Sequence, residues 1–183
     1  MKLYRHPDFD QLVIAATRHL AIPGLTEQLV EKDYFVTEVL RIVAEHFPTQ
    51  SIFKGGTSLS KGWGLITRFS EDIDLFVNPN AFDPPPGKNK LDRILKDLST
   101  EVEKHPALTW LREEGETISG LGRSDLFAYP SHFDTLPGIR AAVRFEPGIQ
   151  SGTFPSEEVP IASLLGQYLA EQGAGPFAEA EDL

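Results

Sequence analysis

The sequence predicts an α/β (α+β) domain, a small mixed sheet flanked by helices, and three observations carry that prediction. Apolar residues recur at helical spacing through most of the first 47 positions. Between residues 51 and 77, two short apolar stretches bracket a glycine pair and a hydroxyl-rich turn. Two further strand-like stretches follow at about 117–129 and 139–146. At 183 residues the chain suits one domain with a sizeable core. The expected partition is a domain over 1–170, helical at 1–47 with a core at 51–150, and a flexible tail over 171–183.

The first expected helix covers residues 7–20, where Phe9, Leu12, Val13, Ala16 and Leu20 keep the i, i+3, i+4, i+7 rhythm. Pro7 suits its first turn, and Pro23-Gly24 closes it. A longer helix runs from a capping Thr26 to His46, with Val36, Val39, Leu40 and Val43 as its apolar stripe. Its polar side presents Lys32, Asp33, Thr37 and Arg41, as solvated charge pairs or as a substrate-facing patch. Residues 51–54 form a short strand, and 57–65 the helix behind the glycines. Trp63, between Gly62 and Gly64, is a base-stacking candidate or a core or lid residue.

Residues 78–90, with Pro84-Pro85-Pro86-Gly87, form an exposed insertion. A helix over 90–104 follows, striped by Leu91, Ile94, Leu95, Leu98 and Val102. In the last strand Arg140, Ala142, Arg144 and Glu146 share one face, and Ile139, Ala141, Val143 and Phe145 the other. The tail is rich in Gly, Ala and Glu and has little to bury.

Composition excludes several classes. No apolar run approaches the length of a membrane span, so no membrane partner is expected and the cytoplasm is the default address. The absence of cysteine removes disulfides and thiolate-bound metals. A net charge of −10 disfavours broad nucleic-acid binding, which needs clustered Lys and Arg, although a local basic patch or a basic partner protein fits it.

The chemistry concentrates in two stretches, Phe53-Lys54-Gly55-Gly56-Thr57-Ser58-Leu59-Ser60-Lys61 and Arg68-Phe69-Ser70-Glu71-Asp72-Ile73-Asp74-Leu75-Phe76-Val77. Residues i and i+2 of a strand point to the same side, so Asp72 and Asp74 converge. Two carboxylates beside a glycine turn make an arrangement suited to magnesium and a nucleotide, because magnesium takes oxygen ligands and shares them with phosphates. Glycines let backbone N–H groups approach those phosphates. Arg68 and Ser70 lie close enough in the chain to orient a carboxylate or a phosphate. Taken singly, an Asp-x-Asp is a solvated face and Gly-Gly is punctuation; the combination is the specific signal.

The segments Lys54–Lys61 and Arg68–Leu75 resemble the active-site core of the nucleotidyltransferase AbiEii/AbiGii toxin family, a branch of the polymerase-β-like superfamily. Glu31–Arg41 resembles the family's leading helix, and Tyr129-Pro130-Ser131 and Val143-Arg144-Phe145-Glu146 its later strands. The resemblance implies a polymerase-β-like core and two divalent ions, Mg2+ or Mn2+, on three carboxylates. Asp72 and Asp74 match the paired acids; Glu146 is the candidate third, or else a cross-strand partner for an arginine. Gly55, Gly56, Thr57 and Ser58 would hold the triphosphate of an NTP, with Lys61 neutralising it or forming a helix-surface salt bridge instead. The implied activity is transfer of a nucleoside monophosphate to an RNA acceptor, such as the 3′ end of tRNA. The setting is a toxin–antitoxin or phage-defence pair with a cognate antitoxin.

One departure shapes the alternative. Family members continue into a helical C-terminal half with a Lys-Asp motif, whereas no lysine follows Lys104 here and Lys32-Asp33 sits on the leading helix. The second expectation is therefore a catalytically incomplete half-domain that binds a nucleotide or a partner. A P-loop fails because Ser60 and Gly62 stand at its second glycine and its hydroxyl. A dehalogenase-type phosphatase fails because two helices precede the Asp-x-Asp and Phe76 follows it.

Overall fold

The computed structural model describes residues 2–66, 72–118, 121–134, 137–150 and 156–174. The helices are α1 (Phe9–Leu20), α2 (Glu27–His46), α3 (Gly55–Lys61), α4 (Lys88–Glu103) and α5 (Leu164–Glu171). The strands are β1 (Ser51–Lys54), β2 (Asp72–Val77), β3 (Thr109–Trp110), β4 (Glu116–Ile118), β5 (Gly122–Ala128) and β6 (Ala142–Gly148). They form one sheet in the order β1-β2-β6-β5-β3, with β4 also paired to β5. Only β2 and β6 run parallel among the described pairs, so the sheet is mixed as expected.

Helices cover one face of this sheet. Ile73, Leu75 and Val77 of β2 and Val143 and Phe145 of β6 alternate inward with almost no exposure. They join Phe35, Val36 and Val39 of α2 and Leu95, Leu98 and Val102 of α4 in one core. Phe35 stacks on Tyr129 with ring centroids 4.3 Å apart, and Phe127 meets Phe145 edge-on at 6.4 Å. Burial of this apolar face, at roughly 25 cal/mol per Å², is the main force assembling the layers. Thr26 caps α2 as expected, accepting from the Leu29 N–H.

The polar side of α2 is not a wet surface. Lys32, Asp33 and Thr37 are buried because the helix is sandwiched between the sheet, α4, α1 and α5. Each finds an interior partner, as buried polar groups must. Lys32 donates to the Arg140 carbonyl at 3.1 Å, and Thr37 back-bonds to the Asp33 carbonyl at 2.8 Å. Arg41 is the member nearest solvent and pairs with Glu38 and Glu45 at 2.8 Å each.

Other differences are local. The expected strand over 117–129 is two antiparallel strands, β4 and β5, with Thr117 across from Arg123. The helix after the glycines begins on them and stops at Lys61 rather than Leu65. α5 was not foreseen; Ser163 caps it by accepting from the Gly166 N–H at 2.9 Å. Of the expected tail, Glu171 ends α5, and 175–183 lie outside the described residues. Among the described residues no helix is long and apolar enough to cross a membrane.

Candidate active site

β2 aims its two aspartates at the sheet face opposite the core, because Ile73 and Leu75 occupy the inward phase. α3 is fastened to this strand at its start. The buried Thr57 donates its hydroxyl to the Asp72 carbonyl at 2.5 Å, which locks the glycine turn onto the acid-bearing segment. Gly55 adopts φ +75, and a Cβ built there would lie 2.0 Å from Asp74 Oδ2. The Asp74 carboxylate therefore rests directly on the α-carbon of the first glycine, an approach open to no other residue type.

β6 completes the face. In the parallel register Asp72 is paired with Arg144, and Asp74 with Glu146. The Arg144 guanidinium lies 3.6 Å from Asp72 Oδ1, while Glu146 Oε1 accepts from the Ser124 hydroxyl at 2.9 Å. Arg144 also donates to Ser124 at 3.2 Å. The partner of the glutamate is thus a serine on β5, and the arginine on its own strand belongs to Asp72. On the other side Lys54, the last residue of β1, stands across from Asp74.

These donors suit a hard divalent ion in kind, being carboxylate oxygens on one partly exposed face. Among the described residues, however, no three acidic or histidine side chains are gathered closely enough to hold one. Glu146, whose backbone is the register partner of Asp74, is engaged by the Ser124 hydroxyl of β5.

The other predicted residues divide. Gly56 follows Gly55 in the first turn of α3, and Ser58 is buried there. Lys61 is not at a phosphate-facing surface: its ammonium lies 2.6 Å from Asp33 Oδ1, with the two side chains 8% and 6% exposed. It also donates to the Ala162 carbonyl at 3.3 Å, and Asp33 Oδ2 accepts from the Leu164 N–H at 2.7 Å. The expected alternative, an ion pair, is what is found, but inside the protein rather than on the helix surface. Arg68 and Ser70 lie outside the described residues. Trp63 is exposed at the end of α3.

Sequence reasoning missed Lys54, Ser124 and Arg144 as neighbours of the acids. Lys54 carried a readable signal, a cation ending a strand just before the glycines; for the other two, pairing register alone brings them in. A cavity of about 570 Å³ lies elsewhere, lined in part by Tyr4, Arg41, His46, Lys104 and His105. Of its basic residues, His46 lies in the last turn of α2 and Lys104 at the C-terminal cap of α4, where positive charge offsets the helix dipole.

The sequence profile described as nucleotidyl transferase AbiEii toxin, type IV TA system, matches residues 39–179. The chain belongs to the AbiEii family. That match spans the glycine turn, both aspartates and β6. Among solved structures the chain is similar to MenT4, a nucleotidyltransferase toxin from Mycobacterium tuberculosis H37Rv. The TM-score is 0.52 at 16% identity, over 82% of this chain and 48% of that one. At such identity the likeness is one of fold, and this AbiEii-family chain spans about half the length of MenT4. No curated protein sequence matches it.

Proposed function

We propose that this AbiEii-family domain transfers a nucleoside monophosphate from an NTP to an RNA acceptor, such as the 3′ end of tRNA. It would act as the toxin of a cytoplasmic toxin–antitoxin or phage-defence pair whose antitoxin is a separate protein. The observation that carries this reading is the Asp74 carboxylate seated on Gly55, with Asp72 on the same strand face.

Asp72 and Asp74, with Glu146 as third carboxylate, would hold Mg2+ or Mn2+. That metal would supply Lewis-acid stabilisation of the phosphoryl charge and acidify the attacking hydroxyl. Gly55 lets the Asp74 carboxylate close onto the turn where Gly55 and Gly56 would present backbone N–H groups to a triphosphate, and Thr57 keeps that turn in register with Asp72. The acceptor hydroxyl oxygen attacks the α-phosphorus and forms a phosphodiester, the α–β anhydride bond breaks, and pyrophosphate leaves. Positioning and electrostatics dominate such transfers.

The engagement of Glu146 by Ser124 favours a second reading, a domain that binds nucleotide or a partner without transfer. Incubation with labelled triphosphates, Mg2+ and total tRNA separates the two. Labelled RNA that disappears in Asp72→Asn and Asp74→Asn supports transfer; nucleotide binding by titration calorimetry without any product supports the binding module. Label transfer that survives both substitutions removes the mechanism.

A further inference from the structure

Lys54 ends β1 and is the cross-strand partner of Asp74, so its side chain leaves the sheet on the face of both aspartates. The next residue is Gly55, whose α-carbon touches the Asp74 carboxylate, so the lysine backbone is fixed one residue from that contact. Lys54 is half-buried, and its ammonium has no ion pair or hydrogen bond among the described residues. Lys61, one helix later, is committed to Asp33 in the interior. Among the described residues the cations on the acid face are Lys54 and Arg144, which leans on Asp72.

A lysine beside two aspartates, yet bonded to neither, has a definite electrostatic preference. It repels a bare divalent cation and attracts anionic oxygens. A metal-chelated polyphosphate satisfies both sides, presenting its cation to the aspartates and its free oxygens to the ammonium. The geometry points to Lys54 as the residue that pairs with the phosphate chain of the bound nucleoside triphosphate, an assignment that rests on the nucleotidyltransferase reading above. Lys54 is then a discriminator of phosphate number: it favours triphosphates over monophosphates of the same base.

The test is titration calorimetry of the full chain with each nucleoside triphosphate and the matching monophosphate, in Mg2+, for wild type, Lys54→Met, Lys54→Arg and Asp74→Asn. Lys54→Met should weaken triphosphate binding about 10- to 100-fold. Monophosphate binding should change less than about 3-fold, and Lys54→Arg should recover most of the loss. Lys54→Gln repeats the comparison if the methionine variant melts early. Equal weakening for both ligands would make Lys54 merely structural and overturn the assignment. Wild-type triphosphate affinity in Lys54→Met, with loss in Asp74→Asn, overturns the assignment and leaves the active-site reading standing. No binding of any triphosphate by wild type overturns both.

Discussion

Gly55 and Asp74 occupy adjoining space so closely that a single added carbon would sit 2.0 Å from the carboxylate oxygen. The glycine is also held at φ +75, a conformation disfavoured for every side-chain-bearing residue. Two independent constraints therefore act on one position. Both follow from α3 beginning on the glycines themselves.

Gly55→Ala should lose transfer activity and about 2–4 kcal/mol of stability, combining left-handed backbone strain with displacement of Asp74. Urea unfolding separates the two contributions. In an Asp74→Ala background the carboxylate clash is gone and only a tight contact with the residue-74 Cβ, 3.0 Å away, remains, so Gly55→Ala should then cost about 1–2 kcal/mol. Equal costs in the two backgrounds would show that the carboxylate does not press on the glycine.

The Asp33–Lys61 pair should behave as a structural tie. Lys61→Met leaves a buried carboxylate with, among the described residues, only the Leu164 N–H, so a loss of about 3–5 kcal/mol is expected in urea unfolding. Nucleotide affinity per folded molecule should stay near wild type. A large affinity loss with unchanged unfolding would return Lys61 to the phosphate site.

Glu38 supplies a pH dependence. Burial pushes its carboxyl up, but hydrogen bonds from His105 and Arg41, together with their charge, outweigh that and hold it below its ordinary 4.5. The unfolded chain therefore takes up this proton first as pH falls. The stabilisation is complete above about 4.5 and is lost as pH falls through the lower folded value. Urea midpoints should drop more steeply below this point in wild type than in Glu38→Gln. The variant should already have lost about 3 kcal/mol at neutral pH, because the buried side of Arg41 loses its counter-charge. Parallel pH profiles would remove Glu38 as the source.

Much of this architecture was legible from period alone. The phases of α1, α4 and β2 follow from which residues are apolar, and the shared face of Asp72 and Asp74 follows from the two-residue repeat of a strand. What period cannot supply is pairing between distant segments. Lys32 and Asp33 have the look of surface charges because their partners, Arg140, Lys61 and Leu164, lie 28 to 131 residues away. Register likewise decides that Arg144, not Glu146, stands across from Asp72. β3 has two residues, too few for a repeat. α5 spans two turns with Gly166 inside, although Ser163 ahead of Leu164, Leu165, Tyr168 and Leu169 was a usable cue.

One side chain on α2 gathers the ammonium of Lys61 at the end of α3 and the first amide of α5. The segment after Ser163 is thereby wired, through a single carboxylate, to the helix that carries the glycine bend. A shortened version ending before residue 163 would strip that amide from Asp33 and loosen its grip on Lys61, so it should melt earlier although every acid of the exposed face is still present. Crystallisable or expressible fragments of this fold should accordingly retain the chain through Glu171.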